Sequence, residues 1–179
     1  LKPRQARFSR ISVDIFGEDN LTTQSPIAGG TASRAHDLET SIFEAAKPWA
    51  WLSLRAATGL LLVPHGMQKL FGMFGGGGLS GTAKFLESVG YPSPELLALL
   101  IGLVEVFCGL LLAVGLFTRL AALPVVVFMI FAASFHLANG LFWTAKGFEY
   151  PVLWGLCALF FLVNGGGAWS VDAKLRRAS

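Results

Sequence analysis

Residues 96–116 read LLALLIGLVEVFCGLLLAVGL, and their one formal charge is Glu105. A helix needs roughly 20 mostly apolar residues to cross a bilayer. Lipid offers the backbone no hydrogen-bond partners, so such a run reads as helix. Glu105 sits near its middle, about 18 Å from the cytoplasmic end at a rise of 1.5 Å per residue. A carboxylate at that depth costs about 3 kcal/mol on insertion scales. It needs a partner, a proton or a watery cavity, which makes it the first place to look for function.

Three more runs share this character. They cover 49–71 with Arg55 and His65, 120–138 with Pro124 and His136, and 152–169 with Asn164 and the triplet Gly165, Gly166, Gly167. The 179 residues are 54% hydrophobic and 14% charged, with a mean hydropathy of +0.60. Soluble domains carry about 25% charge, so the composition excludes an ordinary soluble domain. The expected fold class is all-α, an integral-membrane four-helix bundle. An even number of spans puts both termini on one side. That side would hold Lys2, Arg4, Arg7, Arg10, Arg34, Lys47, Arg119, Lys174, Arg176 and Arg177, against Lys69, Lys84 and Lys146 on the other. The positive-inside rule then places both termini in the cytoplasm. Trp49, Trp51, Trp143 and Trp169 fall near span ends, as interfacial aromatics should.

Residues 1–47 hold six of the fourteen basic residues and six of the eleven acidic ones. They read as a polar extension, disordered or bound to a partner, with a helical turn or two over Ser41–Lys47 leading into Pro48. Residues 48–179 read as the membrane domain. In its first outer loop, Gly75–Gly78 bends freely, Ser80 or Thr82 caps a short helix, and Gly90 ends it before Pro92. Phe85, Leu86 and Val89 would share its apolar side, as in a helix lying on the membrane surface. The connection at Phe117-Thr118-Arg119 is tight, so the second and third spans should be antiparallel neighbours. Cys108 and Cys157 lie in apolar runs and read as packing residues.

Several stretches together resemble the DoxX family of small four-span membrane proteins. They are Arg55, the His65-Gly66-x-x-Lys69-Leu70-Phe71-Gly72 run, Gly75–Gly78, and Leu86–Pro92 (LESVGYP). Gly102-x-x-Glu105 and Gly115-Leu116-Phe117-Thr118-Arg119 complete the set. The resemblance covers roughly residues 50–177 and leaves the extension unexplained. It implies a multi-pass protein of a prokaryotic inner membrane, tied to membrane redox chemistry: some relatives are subunits of a thiosulfate:quinone oxidoreductase, and others are linked to quinone or thiol stress.

The polar residues form two expected groups. An inner group joins Arg55, Glu105 and Asn164, with Arg55 about 9 Å from the cytoplasmic end of its span and its side chain reaching toward Glu105. Arg55 snorkelling to the headgroups is the alternative. If the pair forms, it is either a buried lock between helices or a proton site in which Glu105 exchanges protons and Arg55 tunes it. An outer group holds His65, Lys69 and His136, with Glu149 nearby. These groups would bond outer loops or hold the headgroup of a quinone or lipid. No metal site is expected, because neither helix offers a close-spaced second ligand and His36 lies in the extension.

The sequence carries no Cys-x-x-Cys, nucleotide fingerprint or haem attachment motif. The resemblance, together with the buried polar residues, implies as favoured function a quinone-linked membrane subunit of an oxidoreductase, with Glu105 and Arg55 at the chemistry and His65, Lys69, His136 and Asn164 binding the quinone. Electrons would come from a partner. The competing function is a non-catalytic accessory subunit on a larger respiratory or photosynthetic complex, contacted partly through residues 1–47. A small transporter using the same buried charge is a third. No nucleic-acid partner is expected.

Overall fold

A computed structural model of the protein describes residues 26–178, and all regular structure among them is helical. The expectation for residues 1–25 lies outside the described residues. The chain divides between Ser41 and Ile42 into two units. The described part of the first is helical, with Arg34 and His36–Ser41 exposed.

The elements are α1 (Pro26–Phe71), α2 (Gly78–Ser88), α3 (Pro94–Leu103), α4 (Gly109–Val114), α5 (Thr118–His136), α6 (Glu149–Asn164) and α7 (Val171–Ala178). A π-helical turn, Val104–Cys108, joins α3 to α4 without a break. Two segments, Pro94–Val114 and Thr118–Asn139, are long and apolar enough to cross a membrane. At 16 residues α6 is shorter. Its expected continuation to Trp169 fails because Gly165 and Gly167 both take φ of 77° and leave the helical region. In contrast, α1 begins well before the turns expected at Ser41–Lys47. It runs through Pro48 and Pro64, each of which removes one N–H from the helical ladder.

Helix α1 meets the α3–α4 segment along a seam of glycines. A Cβ placed on Gly109 would lie 2.8 Å from Gly59 O, and one on Gly66 would lie 2.9 Å from Gly102 O. The backbones touch, so no side chain fits between them. Beside the seam, Leu62, Leu112, Ala121, Ala122, Val125, Met129, Ala158 and Phe161 form one buried core. It draws on α1, α4, α5 and α6 together. Meanwhile Leu120, Ile130 and Val163 are 71%, 65% and 64% exposed, so the bundle is apolar outside as well as inside. A soluble protein rarely exposes contiguous apolar surface on this scale.

The short helix expected in the first outer loop is present as α2, but its apolar side is turned to protein. Ala83 and Leu86 are buried with Ala98 of α3, and the Phe85 ring packs edge-on against Phe135 at 5.3 Å. Of the expected apolar set only Leu86 is buried, while Phe85 and Val89 are 50% and 42% exposed. The Thr82 hydroxyl does not cap the start of the helix; it donates back to Gly78 O at 2.8 Å. As a result α2 roofs the bundle, held between turns at Gly78 and Gly90 whose φ values of 66° and 83° favour glycine.

Replacing Gly109 by alanine should destabilise the bundle by about 1–3 kcal/mol, the usual cost of overpacking. Gly81→Ala, whose Cβ meets nothing within 4 Å, should leave stability unchanged or slightly raised. Thermal unfolding of both variants in the same detergent, followed by circular dichroism, checks the difference.

Candidate functional site

Glu105 lies on the π-helical turn and is 3% exposed. Such turns widen a helix by one residue and recur at functional sites. Its partner is Lys69, in the last turn of α1. Lys69 Nζ donates to Glu105 Oε1 at 2.6 Å and to Oε2 at 2.7 Å. The ammonium also stands 5.9 Å from the centre of the Phe128 ring. A buried carboxylate is tolerable only with such a partner. The lysine side chain, 30% exposed against 4% for the glutamate, is the member of the pair that a ligand can reach.

The pair sits in the wall of a cavity of about 400 Å³. His65, His136 and Thr82 add polar groups. Phe85, Phe128, Phe131, Phe135, Tyr150 and Trp154 form aromatic walls. His136 is fixed from the loop before α6. Its Nδ1 lies 2.7 Å from Lys146 O. A carbonyl only accepts, so in the neutral ring Nδ1 carries the proton and Nε2 keeps its lone pair. Asn139 Nδ2 donates to the same carbonyl at 3.1 Å. Trp154 is anchored by its indole N–H, which donates to Thr58 O at 3.1 Å. These second bonds hold the histidine and the tryptophan in place whether or not anything occupies the space.

The expected inner group does not form. Arg55 is 2% exposed, yet it touches neither Glu105 nor Asn164. Its Nε donates to Ala113 O at 3.3 Å, Nη2 to Trp169 O at 3.1 Å, and Nη1 to Gly166 O. These carbonyls belong to the end of α4 and to the turn after α6, where helix ends leave acceptors unpaired. The Ala113 carbonyl lies at the negative end of the α4 dipole, which suits a guanidinium. Glu105 is taken instead by Lys69 from the other end of α1. Asn164 donates to Phe160 O at 2.9 Å, within its own helix, and is exposed. Of the six residues singled out from the sequence, the cavity thus collects Glu105, Lys69, His65 and His136 and leaves out Arg55 and Asn164.

The sequence offers Phe107, Phe117, Phe128, Phe131, Phe135, Phe160 and Phe161 as the lining of an apolar groove or as lipid-facing packing, and of these only Phe128, Phe131 and Phe135 line the cavity. Tyr150, Trp154 and Asp172 escaped the sequence reading. Asp172 had no visible role, but it caps α5 from a distance. Its Oδ1 accepts the Phe117 N–H at 2.7 Å, and its Oδ2 accepts the Thr118 N–H at 2.9 Å and the Thr118 hydroxyl at 2.7 Å. Burial pushes this carboxyl up, but the Thr118 and Phe117 hydrogen bonds and the nearby Arg176 charge outweigh it and hold Asp172 below the usual carboxylate range.

A helical membrane protein with a polar-ended, aromatic-walled cavity is the class these features define. Residues 50–138 match the DoxX family pattern. A Mycobacterium tuberculosis protein named "Uncharacterized membrane protein Rv3486" is 32% identical over 76% of this chain and 87% of its own length. The Escherichia coli "Inner membrane protein YphA" is 28% identical over 74% of this chain and 94% of its own. A Bacillus subtilis protein named "Putative oxidoreductase CatD" is 31% identical over 68% and 83%. The chain belongs to the DoxX family and is a membrane protein. No solved structure matches it.

The depressed Asp172 acidity carries a definite sign. Its contribution to stability is complete above the ordinary aspartate value, about 3.9, and is lost as pH falls from there through the lower folded-state value. Asp172→Asn should melt below wild type at neutral pH, and the gap should close as pH drops below that ordinary value. Melting temperatures of both proteins across an acid series check it.

Proposed function

We propose that this protein crosses the membrane four times with both termini in the cytoplasm, and that its outward-side cavity takes the head of a quinone as part of a quinone-linked oxidoreductase system. The observation that carries the reading is the cavity itself: one ion pair, two histidines and a threonine in a space otherwise lined by aromatic and aliphatic side chains. Ligand pockets typically measure about 300–1,000 Å³ and place a few polar groups on apolar walls. The cavity, at about 400 Å³, lies in that range. A quinone carbonyl accepts a hydrogen bond from Lys69 Nζ. A quinol hydroxyl donates to His136 Nε2. Quinone reduction consumes two electrons and two protons; Glu105, Lys69 and His136 are placed to relay the protons, and the electrons come from a partner protein. The relative named as an oxidoreductase supports the same direction.

Short-chain decyl-benzoquinone should quench the fluorescence of the detergent-purified protein saturably, because Trp154 lines the cavity. Lys69→Gln should weaken that binding by about ten-fold or more, the usual worth of a hydrogen bond to a charged group. Equal binding by wild type and Lys69→Gln, with both still folded, contradicts the quinone reading.

A second reading, an accessory subunit docked on a larger complex, is favoured by one observation. Leu38, Ile42 and Phe43 are 65%, 65% and 61% exposed on an otherwise polar stretch of α1. Deleting residues 1–45 should then abolish co-purification with the partner complex while the helical bundle keeps its melting temperature. Undiminished co-purification of the shortened chain counts against it.

A further inference from the structure

At the opposite end of the bundle from the aromatic cavity, where α5 starts and α6 ends, lies a second cavity of about 300 Å³ that no part of the redox reading uses. Its lining includes Arg119, Arg176, Asn164 and Asp172. Arg119 Nη2 donates to Val163 O at 3.0 Å, which fixes the guanidinium across the end of α6. One such bond leaves most of its five N–H donors for a ligand. Arg176 brings a second positive charge from α7. The single acid of the lining, Asp172, interacts with Arg176 and offsets one of the two charges, so the lining keeps a net positive charge.

The rim of this cavity is apolar and open. Phe117, Leu120 and Leu175 are 58%, 71% and 55% exposed. Trp169 stands at the same end, edge-on to Trp49 at 4.7 Å. Tryptophans of this kind mark the headgroup level of a bilayer. Two arginines at headgroup depth, with bare phenyl and leucine surface beside them, match one chemistry: a phosphate joined to acyl chains. Basic pockets between helices on the cytoplasmic side hold anionic lipid headgroups in this way.

We infer that the cavity formed by Arg119, Arg176 and Asn164 is a binding site for the phosphate headgroup of an anionic phospholipid, whose chains lie along Leu120 and Leu175. The assignment rests on the four-span orientation and is independent of whether the aromatic cavity takes a quinone. A free phosphate ion shares the headgroup chemistry but has no use for the apolar rim.

Native mass spectrometry of the full-length, delipidated protein, titrated with phosphatidylglycerol or with phosphatidylcholine, tests it. Wild type should retain phosphatidylglycerol in preference. Each of Arg119→Gln and Arg176→Gln should weaken that retention roughly five-fold. Lys84→Gln, on α2 at the other end, should leave it unchanged. In wild type, bound phosphatidylglycerol should fall as ionic strength rises, a readout that needs no variant. Equal retention of the two lipids, or unchanged retention in folded Arg119→Gln, overturns the site. Full displacement of the lipid by inorganic phosphate alone overturns the lipid assignment in favour of a free anion. Loss of quinone binding with phosphatidylglycerol retention intact leaves this site standing and removes only the redox reading.

Discussion

A guanidinium sealed from solvent must be met by acceptors on every side it can donate from, and Arg55 meets three carbonyls from two separate chain ends. Ala113 O closes α4; Gly166 O and Trp169 O follow α6. One side chain therefore ties α1 to the last turn of α4 and to the segment between α6 and α7. The turn glycines follow from it. A Cβ on Gly115 would lie 2.6 Å from Arg55 Nη1 and 2.6 Å from Ser170 Cβ. Asp172 then completes the same end by capping α5. Because Arg55 is satisfied there, Glu105 must be paired from elsewhere, and Lys69 supplies the charge. That choice places the ion pair beside the aromatic walls and gives the cavity its polar end.

Much of this was legible in the sequence. The apolar runs located the helices of the bundle, since few other residues can occupy a helix surrounded by apolar groups. The His65-to-Lys69 run and Glu105 stood out because charge is rare in such segments. The pairing was not legible. Depth along a span fixes height but not which face of the helix a residue occupies, and Arg55 and Glu105 looked close in height alone. Counting only side chains as partners also concealed the answer, because the acceptors of Arg55 are backbone carbonyls with no signature in the sequence. The seam formed by Gly59, Gly66, Gly102 and Gly109 is different. Its seven-residue spacing is written in the chain, but it acquires meaning only when two helices are laid together.

The two ends of the bundle are built in opposite ways. At one, fixed groups such as His136 and Trp154 surround empty volume, and the side chains are held by bonds that a ligand need not supply. Preorganisation of this sort lowers the cost of binding. At the other, Arg119 lies across the end of a helix with apolar surface around it, suited to an anchor in the surrounding lipid.

The Arg55 clamp also divides the bundle dynamically. The end it holds has three carbonyl bonds from one buried guanidinium, an aspartate cap and the glycine turns packed around them. The other end is roofed by α2 between glycine turns, over unfilled space. Local opening favours regions with few buried contacts. Backbone amides of α2 should therefore exchange with solvent deuterium well before those near Ala113, and an occupant of the cavity should slow α2 while leaving the clamped end unchanged.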